Sequence, residues 1–174
     1  MTAQRQNIGG GGFTLVEILV VVIILGIASV IVVPMLGNTD DMQVISAARQ
    51  LASTLLYTQT VSIAAQEQYQ VVFDVANKSY EVQDADGKVV ADPVTSSKQF
   101  RVVFGKTGEC SKVSFASVNF DGGNKVWFDR MGVPYSGAIS DSPPPLTTGQ
   151  VVMEAGKHQM TVRVEPVTGR ISIN

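Results

Sequence analysis

The feature of the sequence that most constrains its fold is an apolar run from Ile18 to Leu36, nineteen residues without a charged side chain. A helix of about twenty residues is what the hydrocarbon core of a bilayer requires. The run has no polar face, and a domain within a chain of 174 residues rarely covers so long an apolar helix on every side. We therefore expect a membrane-spanning helix over residues 13–36.

Two kinds of processing are compatible with this segment. A secretory signal peptide would be cut at the small residues of Gly26-Ile27-Ala28. The apolar run continues past that point, however, and Glu17 would lie inside the hydrophobic region of such a signal peptide. In the second interpretation the cut precedes the run. There four glycines, residues 9–12, form a flexible strand without side chains that a protease can hold closely.

Residues 9–28, GGGGFTLVEILVVVIILGIA, resemble the class III signal of type IV prepilins and pseudopilins. That signal is a short polar leader ending in glycine, followed by phenylalanine and then by an acid four residues further on. The resemblance implies that a membrane-embedded aspartyl prepilin peptidase removes residues 1–12. The cut would fall between Gly12 and Phe13, and Phe13 would then be N-methylated.

Glu17 is the one acid next to the apolar run. Thr14 and Glu17 have the spacing of a capping box, in which the acid lies in the first helical turn and is favoured by the macrodipole. Capping does not explain an acid beside the membrane, where an unpaired charge costs about 2.5–3.5 kcal/mol. Cleavage would create an ammonium group on Phe13 that could pair with it. The resemblance implies that Glu17 meets the N-terminus of an adjacent subunit and so promotes assembly.

Charges and helix breakers set the topology around the run. Arg5 precedes it and Asp40 and Asp41 follow it, which places the N-terminus in the cytoplasm and the rest outside the inner membrane. Pro34 and Gly37 are expected to kink or break the helix. In the family that the signal resembles, a proline near this point marks a segment able to unwind within the filament.

Residues 37–68 are expected to form the amphipathic half of one long N-terminal helix. The sequence places one stripe at helical spacing, which should cover a sheet: Met42, Ile45, Ala48, Ala52, Leu55, Leu56, Gln59 and Ile63.

Residues 69–174 are expected to form a β-rich domain. Eight short segments are rich in β-branched and aromatic residues: YQVVFDV, SYEVQD, FRVVF, VSFASVNF, KVWF, QVVMEA, QMTVRVE and RISI. Turn residues separate them at Asn77-Lys78, Asp86-Gly87, Gly122-Gly123 and Gly156-Lys157. The predicted fold class is α+β, a long helix packed on antiparallel sheets.

Three segments of the domain resemble the H-type minor pseudopilins of type II secretion and the related FimT-type minor pilins. They are VISAARQLASTLLYTQTVSIAAQEQYQVVF, KVWFDRMGVPYSG and MTVRVEPVTGRISIN. The resemblance implies a pilin-like domain with two small sheets in the periplasm. It also implies a structural subunit that helps to initiate or cap the type II secretion filament, with other pseudopilins, lipid and the assembly platform as partners. The alternative is a minor pilin of a type IV or competence pilus.

Nucleic acid is not an expected partner. The net charge is -2, so there is no broad basic field. Some relatives in DNA-uptake pili carry two arginines in the C-terminal turn, whereas this chain has only Arg170 there. A single arginine can contact a phosphate but makes no basic stripe.

The sequence gives no sign of catalytic or metal chemistry. His158 is the only histidine and Cys110 the only cysteine, which argues against multi-histidine metal sites and rules out an intramolecular disulfide. Asp84-Ala85-Asp86-Gly87 begins like a calcium loop but lacks its closing glutamate. We expect no metal, no cofactor and no enzymatic activity. The irregular stretch 137–149 is either a partner surface or a mobile loop.

Overall fold

The computed structural model describes residues 12–35, 40–94, 98–105, 110–140 and 143–174. The chain divides into two compact units, Met1–Asn38 and Thr39–Asn174. Helix α1 belongs to the first unit, and helix α2 and the strands belong to the second. The element bounds are α1 Leu15–Met35, α2 Asp40–Ala65, β1 Tyr69–Asp74, β2 Ser79–Asp84, β3 Arg101–Val103, β4 Ser114–Phe120, β5 Lys125–Phe128, β6 Pro134–Ser136, β7 Gly149–Ala155, β8 His158–Val164 and β9 Ile171–Ile173.

Met35, one residue after Pro34, is the last described residue of helix α1. Gly37, the second expected helix breaker, lies outside the described residues, as does any continuity between α1 and α2. The side chains of α1 are described as far as Ser29. Within the part of the chain that the structure describes, no helix has both the length and the apolar composition needed to cross a membrane.

The second unit contains two antiparallel sheets. One has five strands in the order β3-β2-β1-β5-β6, and the other has four in the order β4-β7-β8-β9. This confirms the expectation of an α+β fold with two small antiparallel sheets. Each of the eight predicted segments contains a strand. The sequence did not predict β6, because it is only three residues long and begins with Pro134, which lacks the N–H that a central strand needs.

Helix α2 buries a different stripe from the predicted one. Met42 and Leu56 are 67% and 56% exposed, and of the predicted set only Ala48 and Leu55 are fully buried. The buried residues of α2 are Val44, Ala47, Ala48, Leu51, Thr54, Leu55, Thr58 and Ser62. The predicted stripe was wrong because the helix carries apolar residues on more than one face, and the prediction passed over Val44, Ala47 and Leu51 as well as the three buried hydroxyl residues.

Three hydroxyl residues lie on the buried face of α2, because carbonyl oxygens of the same helix accept their hydrogen bonds. Thr54 Oγ1 donates to the carbonyl oxygen of Gln50 at 3.0 Å, Thr58 Oγ1 to that of Thr54 at 2.8 Å, and Ser62 Oγ to that of Thr58 at 2.9 Å. A hydroxyl bonded to the preceding turn can be buried without the cost of an unmet donor.

The end of α2 also differs from the prediction. The helix ends at Ala65 rather than at residue 68, and Gln66 follows in the left-handed region with φ 56°. Its side-chain Nε2 donates to the carbonyl oxygen of Ile63 at 2.8 Å and so satisfies one of the last-turn carbonyls. Glycine or asparagine is the usual residue at this position, so a glutamine gave no sequence signal.

The core of the second unit lies between α2 and the sheets. Its largest fully buried side chains include Phe73, Tyr80, Phe120 and Phe128. Phe73 stacks on Phe120 with ring centroids 5.6 Å apart and also contacts Phe115 edge to face at 5.8 Å. Since β1 contributes Phe73, and β4 contributes Phe115 and Phe120, these rings join the two sheets.

The four predicted turns are confirmed. Lys78, Gly87, Gly122 and Gly156 all have positive φ, which is the conformation that tight turns require. In the first turn Asp74 Oδ1 accepts the N–H of Asn77 at 2.9 Å.

Candidate functional site

The predicted processing site lies in exposed, non-helical chain. Gly12, Phe13 and Thr14 directly precede α1. The side chain of Phe13 is 75% exposed, and nothing lies within 4 Å of the position that a Cβ on Gly12 would occupy. A peptide bond in such a segment is accessible to a protease, so the geometry is suited to the predicted cut, which remains a prediction.

Thr14 caps the start of α1. The N–H of Glu17 donates to Thr14 Oγ1 at 3.2 Å, and the N–H groups of Glu17 and Ile18 lie 3.1 and 3.2 Å from the carbonyl oxygen of Thr14. The threonine half of the predicted capping box is therefore formed. Among the described residues, the carboxylate of Glu17 accepts no hydrogen bond and joins no ion pair, so it is available to an external cation.

The apolar side chains of α1 that the structure describes, as far as residue 29, are exposed on every face of the helix. The described ones range from Val20 at 46% to Leu15 at 82% exposed. Ser29, the last described side chain of α1, is satisfied within the helix, because its hydroxyl donates to the carbonyl oxygens of Leu25 and Gly26. A helix of this composition needs apolar cover that its own residues do not supply.

Arg170 lies in the turn between β8 and β9. Its N–H donates to Thr168 Oγ1 at 3.3 Å and its carbonyl oxygen accepts the N–H of Glu165 at 2.8 Å. The residue is exposed, and among the described residues its guanidinium joins no ion pair. The side chain is therefore exposed to solvent at this hairpin, and its contact with a phosphate remains a prediction.

Gln59 joins α2 to two turns. Its Nε2 donates to the carbonyl oxygen of Gly132 at 2.9 Å and lies 3.4 Å from that of Thr168. The glutamine was predicted to lie on the packing stripe, but its role in fixing the turn that carries Arg170 required the three-dimensional structure. No sequence signal indicates it, because the two carbonyl groups belong to distant segments of the backbone.

Asp121 fixes the second half of the irregular stretch 137–149. Its carboxylate accepts hydrogen bonds from the Ser136 hydroxyl at 2.9 Å, from the Thr148 N–H at 2.7 Å and from both the hydroxyl and the N–H of Thr147. Leu146 is only 2% exposed. Hydrogen bonds and burial therefore hold residues 146–148 against the turn after β4. Residues 141–142 lie outside the described residues.

The polar residues considered for metal or catalytic roles are dispersed. Among the described residues no three His, Cys, Asp or Glu side chains are close enough together to hold a metal ion. His158 begins β8 and is exposed. Asp84 Oδ1 accepts the N–H groups of Asp86 and Lys88 at 3.1 and 2.9 Å, as a tight turn requires.

No family model matches the chain, and no curated protein matches it in sequence. The minor pseudopilin EpsH of the Type 2 Secretion System of Vibrio cholerae is similar in structure, with a TM-score of 0.53 at 11% identity over 76% of this chain and 96% of that chain. The type IV minor pilin FimU of Pseudomonas aeruginosa PAO1 gives a TM-score of 0.48 at 13% identity over 75% of this chain and 87% of that chain.

The likeness to EpsH shows that the chain has a pilin-like fold. The predicted resemblance to H-type minor pseudopilins is therefore confirmed at the level of the fold.

Proposed function

We propose that this chain is a minor pseudopilin, a structural subunit of the type II secretion filament rather than an enzyme. One observation carries the proposal: an exposed apolar helix with an unpartnered acid in its first turn is joined to a domain with the fold of EpsH. The subunit would be anchored once in the bacterial inner membrane through residues 13–36, with its domain in the periplasm. There it would help to initiate or cap the filament.

Residues 1–12 would be removed by prepilin peptidase, leaving a new ammonium group on Phe13, which would then be N-methylated. The exposed backbone at Gly12, with no atom within 4 Å of its Cβ position, supports this step. In the assembled filament the unpaired carboxylate of Glu17 would meet the Phe13 ammonium of a neighbouring subunit. Such a pair offsets the desolvation of two charges at once, which neither charge could achieve alone in an apolar setting.

The other partners follow from the same role. They are further pseudopilins, membrane lipid around α1 and the assembly platform, on which a cytoplasmic ATPase would act. The exposure of the described side chains of α1 supports lipid first and neighbouring helices later as their cover.

The processing step is tested by intact mass and N-terminal peptide mapping of the protein from membranes of a host with a prepilin peptidase. We expect a mature chain that begins at N-methylated Phe13, and full-length precursor for Gly12→Leu. Gly26→Leu is the matched control, because Gly26 also has open space around its Cβ position, and it should be processed normally. Mature Gly12→Leu protein, or a chain that begins near Ser29, would contradict the proposal.

The pairing of Glu17 is tested by Glu17→Gln. Glutamine keeps the capping chemistry and removes the charge, so the variant should still be processed but should no longer copurify with the other filament subunits after crosslinking. Glu17→Asp is the charge-retaining control and should keep part of that yield. Unchanged incorporation of Glu17→Gln would remove the electrostatic basis of the assembly step.

A second candidate function is a minor pilin of a type IV or competence pilus that binds DNA or a surface. The unpaired, exposed guanidinium of Arg170 favours it. It predicts a salt-sensitive mobility shift of duplex DNA that is lost in Arg170→Ala and kept in Lys157→Ala, which alters another exposed turn. Absence of a shift at low salt would exclude DNA binding by this turn.

A further inference from the structure

A pocket lies on the outer face of the five-stranded sheet, the face turned away from the hydrophobic core. Its volume is about 340 Å³, within the range of small-ligand sites in proteins. The residues that line it include Val72, Asp74, Ser79, Glu81, Arg101 and Asn124. None of them takes part in the processing or pairing steps.

The register of the strands shows which side chains face this pocket. Phe73 of β1 and Tyr80 of β2 belong to the core, so strand alternation turns their neighbours Asp74 and Ser79 to the outer face. Asp74 and Ser79 are also paired directly across the two strands. By the same alternation and pairing, the outer-face residues that line the pocket are Val72, Asp74, Ser79, Glu81 and Arg101.

The hydroxyl of Ser79 has no hydrogen-bond partner among the described residues, although Ser79 is only 6% exposed. It is not enclosed, because Trp127 Nε1 is the one described side-chain nitrogen or oxygen that is both enclosed and unpartnered. Since Ser79 lines the pocket from the face that the pocket occupies, its hydroxyl is open to a ligand there. A ligand that bonds to this hydroxyl restores the free energy that the missing partner costs.

The pocket also carries one uncompensated negative charge. Glu81 is neutralised by Arg101, whose Nε and Nη2 lie 2.7 and 2.6 Å from Glu81 Oε2. Asp74 joins no ion pair among the described residues. Its oxygens accept the side-chain amide and the N–H of Asn77 at 2.7 and 2.9 Å, and these bonds lower the pKa of the Asp74 carboxyl below its ordinary value. Lys125 of β5 does not line the pocket.

The free acceptors of the pocket belong to three different residues. Besides Asp74 and Ser79, Asn124 contributes its amide oxygen, because its Nδ2 is bonded to the carbonyl oxygen of Phe73 at 2.7 Å. Separate acceptors suit the three rotatable donors of an ammonium group. The planar fork of a guanidinium instead prefers both oxygens of one carboxylate, and both oxygens of Asp74 already bind Asn77.

We propose that this pocket binds the ammonium group of a lysine side chain from another polypeptide. The ammonium group donates to Asp74, Ser79 Oγ and Asn124 Oδ1. Its alkyl stem packs on Val72 and Val75, and Val75 is 44% exposed at the pocket. Charge complementarity selects this occupant, because the uncompensated charge of the pocket is negative. The proposal goes beyond the proposed function, because it concerns neither processing nor pairing within the apolar segment.

The test is an NMR titration of the ¹⁵N-labelled full chain in uncharged detergent micelles with the peptide N-acetyl-Gly-Lys-Gly-amide. The backbone amide resonances of Val72, Asp74 and Ser79 are expected to move saturably. Peptides with Nε-acetyl-lysine or arginine in place of lysine are expected to bind at least about fivefold more weakly, because the first lacks the charge and the second lacks the separate donors.

Two variants remove the proposed acceptors. Ser79→Ala deletes a hydroxyl that has no partner in the free protein, so it should weaken binding of the lysine peptide about threefold to tenfold without lowering the urea midpoint. Asp74→Asn removes the charge and should weaken binding about tenfold. Asp84→Asn is the matched control and should leave the affinity unchanged, because Asp84 also accepts N–H groups of a turn but does not line the pocket.

Amide resonances that do not move, that move equally with the acetylated or the arginine peptide, or that respond equally in either variant would overturn the proposal. Calcium chloride at the same ionic strength should leave them in place, because among the described residues no three His, Cys, Asp or Glu side chains could hold a metal ion. A saturable response to calcium would show a metal site instead and so contradict the proposal. Because neither Gly12 nor Glu17 takes part, such a failure would leave the processing and assembly tests unaffected.

Discussion

Asp121 shows how one side chain can fix a segment without regular structure. Burial alone would raise the pKa of the Asp121 carboxyl, but hydrogen bonds from Thr147, Thr148 and Ser136 outweigh burial and hold the pKa below its ordinary value. Asp121 also adopts φ 52°, a left-handed conformation that aspartate tolerates better than most residues. The residue thus sets both the turn after β4 and the position of residues 147–148.

Asp121→Asn should reduce the dependence of stability on acid. The pKa of the Asp121 carboxyl is lower in the folded state than in the unfolded state, where it is about 3.9. The ionised carboxylate therefore stabilises the fold fully above about pH 3.9, and this stabilisation is lost as the pH falls through the pKa of the folded state. Urea unfolding followed by Trp127 fluorescence should show a loss below about pH 4 in the parent that is smaller in the variant. Because Asp121 is exposed, the difference should be at most about 1 kcal/mol.

Asp86→Asn is the control for Asp121→Asn, since Asp86 lies in an exposed turn and should retain the acid dependence of the parent. An Asp121→Asn profile parallel to that of the parent between pH 7 and 3 would show that these hydrogen bonds do not couple to folding.

Gly132 is required for two reasons that can be separated. It has φ 81°, and a Cβ there would lie 2.8 Å from Ile63 Cδ1. Gly137 has φ 75° but open space around its Cβ position. Gly137→Ala should cost about 1 kcal/mol of unfolding free energy from backbone strain, and Gly132→Ala about 1–3 kcal/mol more from the collision. Equal urea midpoints for the two variants would mean that Ile63 moves aside freely.

At the level of elements, α2 organises the second unit, since it packs against strands of both sheets. Its N-terminus is tied to the loop before β4, because Lys112 Nζ lies 2.8 Å from Asp40 Oδ1 and the Lys112 N–H donates to Gln43 Oε1 at 3.0 Å. Its C-terminal half is tied to the turns at Gly132 and Thr168 through Gln59. The burial of its middle turns is therefore the main term in its stability.

The corrected face of α2 can be tested with two leucines. Leu51 is fully buried and Leu56 is 56% exposed. Leu51→Ala should lower the free energy of unfolding by about 2–5 kcal/mol, and Leu56→Ala by no more than about 0.5 kcal/mol. Chemical denaturation of both variants gives the comparison, and a larger loss for Leu56→Ala would restore the stripe predicted from the sequence.

At the level of the whole molecule, the second unit has its own core. All the fully buried hydrophobic residues of the described chain, from Val44 to Val164, belong to it. The first unit has none, because the described side chains of α1 are exposed. The second unit is therefore stabilised by its own packing, whereas the described apolar side chains of α1 are not covered by other described residues.

A chain that begins at Thr39 should accordingly fold without the first unit. We expect a monomer in size-exclusion chromatography, far-UV circular dichroism of mixed helix and sheet, and cooperative urea unfolding followed by Trp127. The buried hydroxyl bond between Thr54 and Tyr80, at 3.2 Å, should be retained. Aggregation, or unfolding without a transition, would show that residues before Thr39 are needed for the core.

The sequence by itself determined the apolar segment with its glycine, phenylalanine and acid, the β-rich character of residues 69–174 and the positions of four turns. These features follow from composition, periodicity and local backbone preference, which act between residues close in the chain. The pilin-like fold could also be predicted from the sequence, because the resemblance to the family depends on the same local patterns.

The tertiary structure alone decided which side chains work together. It placed Thr54, Thr58 and Ser62 on the buried face of α2. It also brought the side chain of Gln59 into contact with two turns that are distant in sequence. It left the Ser79 hydroxyl without a partner among the described residues, in a pocket on the outer face of the five-stranded sheet. A hydroxyl counts as polar in any sequence pattern, and only the fold shows whether its hydrogen bond is met, because the partner comes from packing and not from spacing.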